Sequence, residues 1–190
     1  TGALKASYVY RFPNKELTVS HLTAAVFDGT AEGDLAVGSL PGEPRVTLNL
    51  QYHDVDAAQL ARVYPWDPKY VVYSRASGQL QGWFARSLEQ YEFEGSSLLN
   101  RYSPNSSPTV VPLPLDGVLT FALKPRETDI RSSDIRLGDT SIHAEGQLRG
   151  RQSDLTVNLV SLNLADLRFL YKDANGKGSF AGTVKGVLPK

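Results

Sequence analysis

The stretch Arg45-Val46-Thr47-Leu48-Asn49-Leu50-Gln51-Tyr52 decides the fold. Apolar Val46, Leu48, Leu50 and Tyr52 alternate with polar Arg45, Thr47, Asn49 and Gln51, the period of an extended chain whose successive side chains point to opposite sides. The segment is therefore a strand with one apolar and one polar face. Outward from it, the period recurs in Leu4, Ala6, Tyr8, Tyr10 and Phe12, in Leu119, Phe121 and Leu123, and in Ile142, Ala144, Gly146 and Leu148. It recurs again in Leu155, Val157 and Leu159, and in Phe180, Gly182 and Val184. Asp28-Gly29, Pro41-Gly42-Glu43-Pro44, Asp116-Gly117, Gly138-Asp139 and Asn175-Gly176 punctuate these runs with turn formers, so antiparallel pairing is expected.

Two stretches lose the alternation. After Asp54, Val55, Ala58, Leu60, Ala61 and Val63 predict a short helix capped by Asp54 or Asp56 and stopped at Pro65. Asn163 to Tyr171, with Leu164, Leu167, Phe169 and Leu170 on one side and Asn163 as cap, predicts a second. Ser103 to Asp116 holds four prolines in fourteen residues and reads as a loop. The expected organisation is a first β unit over 1–102, a Pro/Ser-rich loop over 103–116 and a second β unit over 117–190, as two small domains or as one sheet with an excursion.

Composition narrows the function. Lys+Arg 20 against Asp+Glu 20 give a net charge of zero with no basic stripe, which argues against a nucleic-acid partner. Without cysteine there are no disulfides, thiolate metal sites or thiol nucleophiles. Without methionine, a chain beginning at Thr1 is expected to be excised from a longer precursor. No apolar run approaches the roughly 18 residues of a membrane-spanning helix.

Chemistry has no visible apparatus. His21, His53 and His143 stand apart in sequence and form no HxH or HExxH spacing, so they read as surface residues, with no metal expected. There is no GxSxG elbow, and the glycines of Gly176-Lys177-Gly178-Ser179-Phe180-Ala181-Gly182 miss the GxGxxG spacing. A non-enzymatic role without a cofactor is expected. Trp66, Tyr70, Tyr73 and Trp83 lie within eighteen residues and support an alternative, an extracytoplasmic β-sandwich module binding a glycan or a protein. A small outer-membrane barrel also alternates in this way, but the helical turns and uneven charges speak against it.

The halves of the chain repeat one another in order. Ala31-Glu32-Gly33-Asp34-Leu35 matches Ala144-Glu145-Gly146-Gln147-Leu148, and Val46-Thr47-Leu48-Asn49-Leu50 matches Leu155-Thr156-Val157-Asn158-Leu159. Ala58 to Tyr64 then matches Ala165 to Tyr171, and Gly78-Gln79-Leu80-Gln81-Gly82 matches Gly178-Ser179-Phe180-Ala181-Gly182. Such repetition predicts units that bury their apolar faces by stacking on neighbours, with adjacent repeats of the same chain as partners.

This succession over Glu16 to Arg86 and Glu127 to Gly186 resembles the repeats of the AsmA-like proteins, most of all the TamB branch. The resemblance implies a mainly β fold, a long curved antiparallel sheet forming a trough or open sandwich. It implies a periplasmic segment of a bacterial envelope protein anchored in the inner membrane. The implied function is lipid transport between envelope membranes and outer-membrane assembly, with phospholipid or another amphipathic cargo and an outer-membrane assembly partner. In such a trough the lining is expected from Leu35, Val37, Leu48, Leu50, Leu80, Phe84, Leu148, Val157, Leu159 and Phe180. Gly33, Gly78, Gly82, Gly146, Gly178 and Gly182, inside or at the ends of strands, are expected either to permit strong curvature or to mark ordinary bulges and strand-end turns of a closed sandwich.

Overall fold

The computed structural model describes residues 4–11, 16–38, 44–59, 70–85, 90–103, 110–149 and 152–187. In chain order the strands are β1 (Leu4–Arg11), β2 (Glu16–Val26), β3 (Gly29–Gly38), β4 (Arg45–Asp56), β5 (Tyr70–Val72), β6 (Ser74–Ala85) and β7 (Gln90–Arg101). They continue with β8 (Val111–Leu113), β9 (Leu115–Lys124), β10 (Glu127–Leu137), β11 (Thr140–Arg149), β12 (Gln152–Ser161) and β13 (Gly178–Val187). Eleven of them form one antiparallel sheet in the order β1-β2-β3-β4-β6-β7-β9-β10-β11-β12-β13, and β5 and β8 form a separate parallel pair. The sheet is open, because β1 and β13 are its two edges and do not pair to close a barrel. The two repeat units are halves of this one sheet, joined where β7 pairs with β9.

Of the two expected helices, one remains. A helical turn begins at Ala57, with Asp56 Oδ1 accepting from Ala58 N at 3.0 Å as its cap, and the rest of that element from residue 60 onward lies outside the described residues. The second is a single 3-10 turn, η1 (Leu164–Leu167), capped as expected by Asn163, whose Oδ1 accepts from Ala165 N. Its polar groups are taken up from outside: Leu164 N donates to Gly176 O, and Asp166 accepts from Asp139 N and Thr140 Oγ1. A helix this short is marginal, and local side-chain bonds compete with its propagation. The expected loop over 103–116 also gives way at its end to β8 and the first residues of β9. Pro112 is tolerated there because, among the described residues, β8 has one partner strand and needs no donor on its other side.

Three strands keep their apolar residues on one side only by carrying an extra residue. In β2 the apolar positions run Leu17, Val19, then Leu22, Ala24 and Val26, so the parity changes, and the pairing with β3 slips between Val19 and Leu22. The same slip falls between Tyr52 and Val55 in β4 and between Ile130 and Ser133 in β10. Each bulge contains one left-handed residue, His21, Asp54 or Ser132. The amides left out of the ladder find side-chain acceptors: His21 N bonds Asp34 Oδ1 at 3.2 Å, and Asp54 N bonds Ser77 Oγ at 3.0 Å. Beside the third bulge, Thr120 N bonds Ser133 Oγ at 2.9 Å.

The matched pairs of the two halves share a register. Leu48 faces Gly82 and Leu50 faces Leu80 across β4 and β6, and their sequence equivalents Val157 and Leu159 face Gly182 and Phe180 across β12 and β13. The preceding ladder differs. Gly33 faces Leu50, whereas Gly146 faces Leu155, so β12 is slid by four residues relative to its counterpart.

Gly33 and Gly146 sit at mid-strand with φ of +154° and +134°, and a Cβ at either would overlap the carbonyl oxygen of Asn49 or Asp154 on the adjacent strand. Gly38 has open space in the same direction. We therefore expect Gly33→Val and Gly146→Val each to lower stability in urea unfolding by about 1–3 kcal/mol, with Gly38→Val close to neutral.

Candidate functional site

The apolar side of the sheet is a set of rows running from strand to strand. One row passes through Leu22, Gly33, Leu50, Leu80, Gly95, Phe121, Ile130, Gly146, Leu155 and Val184, each directly opposite the next. Glycine falls on every third strand of this row, flanked each time by large side chains. Toward the hairpins at Gly38, Arg45, Ala85 and Gln90 lie Leu35, Leu48 and Leu148 in the next row and Val37 and Phe84 one row further. On the other side of the glycine row lie Val157, then Leu159 and Phe180. All ten expected lining residues thus share one face of one sheet, spread from β3 to β13.

That face has no sealed core over most of its area. Among the described residues, the largest fully buried side chains are Thr140, Ser74, Ser133 and Ser161, and no large apolar residue joins them. Nine of the ten expected lining residues are half-buried, and Phe180 on the edge strand is exposed. The buried apolar residues Val55, Ala57, Ala76, Leu99 and Leu137 gather at the end of the sheet that carries Asp56, Ser74, Leu115 and Thr140. The other two, Ala85 and Ala122, are small residues on the polar side.

The closed end is stitched by hydroxyls. Ser74 Oγ donates to Leu115 O at 2.6 Å, and Thr140 Oγ1 and Ser161 Oγ bond one another at 2.8 Å. Tyr52 reaches across Gly78 to donate its hydroxyl to Ser96 O at 3.0 Å and also bonds Ser97 Oγ, so its ring covers the glycine of the intervening strand. Burial pushes the Tyr52 phenol up. Tyr102 donates to Asp56 Oδ1 at 2.7 Å, and desolvation together with that carboxylate raises its pKa to about 12. No buried side-chain polar atom among the described residues lacks a partner.

Sequence reasoning missed the contribution of β7. Tyr91 stacks on Phe93 at 5.7 Å and Phe84 leans on Phe93 at 6.5 Å, an aromatic cluster on the apolar side. The alternation Tyr91, Phe93, Ser97, Leu99 was a readable signal, but β7 has no counterpart in the repeat.

The polar side carries several ion pairs between strands. Arg131 bonds Glu94 at 3.1 Å and Asp129 at 3.4 Å, Lys124 pairs with Glu92 at 2.9 Å, and Lys185 pairs with Asp154 at 3.1 Å. Hydrogen bonds from Gln81 and Arg131 hold the Glu94 carboxyl below its ordinary range. Of the aromatic residues singled out for a glycan, the three that are described do not assemble. Tyr70 packs edge-on against Phe169, Tyr73 packs against Tyr102, and Trp83 lies on the polar side under the Arg45 guanidinium at 3.9 Å. Trp66 lies outside the described residues. His143 bonds Asp134 at 2.8 Å, His53 lies 3.8 Å from Glu32, and His21 occupies a bulge. Among the described residues no group of three or more potential ligands is placed to hold a metal ion.

No protein-family model, curated protein or solved structure matches the chain.

The distribution of burial makes a direct forecast. Leu99→Ala at the closed end should cost about 2–5 kcal/mol in chemical unfolding, the range for a sealed core, and Leu50→Ala on the open face less than about 1.5 kcal/mol.

Proposed function

We propose that the chain is a segment of an AsmA-like or TamB-like periplasmic bridge protein, anchored in the inner membrane, whose apolar face shelters lipid acyl chains in transit between envelope membranes. The carrying observation is the uninterrupted glycine-punctuated row over ten strands, whose large members are half-buried or, for Val184 on the edge strand, exposed, and none of them fully buried. At about 4.8 Å between strands that row extends for roughly 43 Å, longer than an acyl chain. Curling of the sheet into a trough is the step that follows from the bulges and close-approach glycines, which both increase local twist.

The energetics favour such a cargo. Sheltering one methylene is worth about 0.8 kcal/mol, so a dozen against the row offset a large part of the cost of leaving a bilayer. Movement along the row requires similar affinity at each step and no chemistry, so the role is non-enzymatic. The charged side, with ion pairs such as Arg131 with Glu94 and Lys124 with Glu92, faces water. Adjacent repeats of the same chain and an outer-membrane assembly partner complete the reading.

The test is a photoreactive residue at Leu159 compared with one at Asn158, and at Leu50 compared with Asn49, in the presence of phospholipid vesicles. Neighbouring residues differ only in face. We expect lipid adducts from Leu159 and Leu50 to exceed those from their neighbours by roughly tenfold, a ratio that two sheltered methylenes supply. Equal labelling from both faces would contradict the proposal.

A further inference from the structure

The glycines of β6 have a visible cause. A Cβ at Gly78 would overlap the carbonyl oxygen of Ser96, and one at Gly82 would overlap that of Glu92, both on β7. The close backbone of the neighbouring strand excludes any side chain at either site. In β13 the equivalent positions are again glycine, Gly178 and Gly182, yet among the described residues no strand lies on that side. A Cβ at Gly178 would meet only Leu164, at 3.3 Å, and one at Gly182 would first meet the ring of Phe180, at 3.1 Å. Neither is excluded by a backbone, and glycine in a strand interior costs stability relative to residues with side chains. β12 and β13 otherwise repeat the register of β4 and β6.

We infer that the free edge of β13 is an acceptor for one more antiparallel strand, docked as β7 docks on β6. The chemistry of that strand follows from the established ladder. Opposite Gly82 stands Phe93, and opposite Leu80 stands Gly95, so the incoming strand offers an aromatic side chain over Gly182 and a small residue opposite Phe180. Phe180 and Val184, 47 % and 45 % exposed, are the surfaces it would cover. Backbone hydrogen bonds supply the attachment, and the two glycine notches set the register. The orientation is fixed as well. β13 runs in the same direction as β1, because an odd number of strands separates the two edges by an even number of reversals. A copy of the chain set directly edge to edge, β13 on β1, would therefore make a parallel pair, and an antiparallel continuation requires a linking strand such as β7 supplies between the halves.

The inference concerns the edge and extends the expectation of adjacent repeats. Its test contains no lipid, so it stands or falls separately from the cargo. The chain has no cysteine, which makes introduced thiols unambiguous. A synthetic peptide of residues 90–101 carrying Glu94→Cys would be incubated in a thiol-disulfide buffer with full-length Ala181→Cys, Ser179→Cys or Thr183→Cys. Glu94 faces Gln81, the equivalent of Ala181, so the disulfide should form with Ala181→Cys roughly tenfold in preference to the other two, a difference of about 1.4 kcal/mol. Gly178→Val with Gly182→Val, added to Ala181→Cys, should abolish the preference while the melting temperature is held or raised. If that variant does not fold, the comparison of the three single cysteines still decides. Equal yields at the three positions would overturn the inference. So would disulfide-linked chain dimers outcompeting the peptide, because they would assign the edge to a second copy paired β13 on β13.

Discussion

Everything in the molecule follows from a single sheet having one apolar face and water being a poor solvent for it. Burial of that face against another layer is the usual outcome for a chain of this length, because apolar surface removed from water is the dominant favourable term in folding. Here the described residues supply such cover at one end only. The buried Val55, Ala76, Leu99 and Leu137 gather there, with hydroxyl side chains satisfying the backbone around them. Backbone hydrogen bonding along ten strand interfaces holds the remainder in a defined geometry while its leucines stay half in water.

Keeping all the oily residues on one side over strands of ten to twelve residues is a demanding requirement. A strand that bends and twists loses register with its own alternation, and one extra residue restores it. The bulges at His21, Asp54 and Ser132 do this, each with a left-handed residue and each beside a side chain that accepts a stranded amide. Glycines at the centre of the face allow neighbouring carbonyls to approach where any side chain would collide. Bulges bend and twist the strands that carry them, which connects the local geometry of the backbone to the trough proposed for the cargo.

Much of this was legible beforehand, for physical reasons. Period-two alternation reports directly on a strand with two unlike faces, so the mainly β class, the antiparallel pairing and the common face of Leu48, Leu80 and Val157 followed from composition along the chain. The repeat also told the truth about pairing, since Leu48 with Gly82 and Val157 with Gly182 are the same contact. The bulges were written in the change of parity from Val19 to Leu22 and from Tyr52 to Val55, which strand-by-strand reading passes over. The second helix shrinks to one 3-10 turn although Leu164, Leu167 and Leu170 suit a helical stripe, because the segment is tied from outside by Leu164 N to Gly176 O and by Asp166 to Asp139 and Thr140, long-range bonds that no local pattern displays. β7 escaped because it joins the halves and has no partner in the repeat. Whether the two halves form one sheet depended on a long-range pairing, β7 with β9, that no local pattern encodes.

The central claim, an oily face left unsealed, is tested most directly by leucine methyl resonances in the presence of a water-soluble paramagnetic probe, with and without phospholipid. The account predicts that the methyls of Leu35, Leu48, Leu80 and Leu155 relax strongly in the lipid-free protein and become protected when phospholipid is added, while Leu99 and Leu137 are protected throughout. Protection of all six leucines before any lipid is present would contradict it.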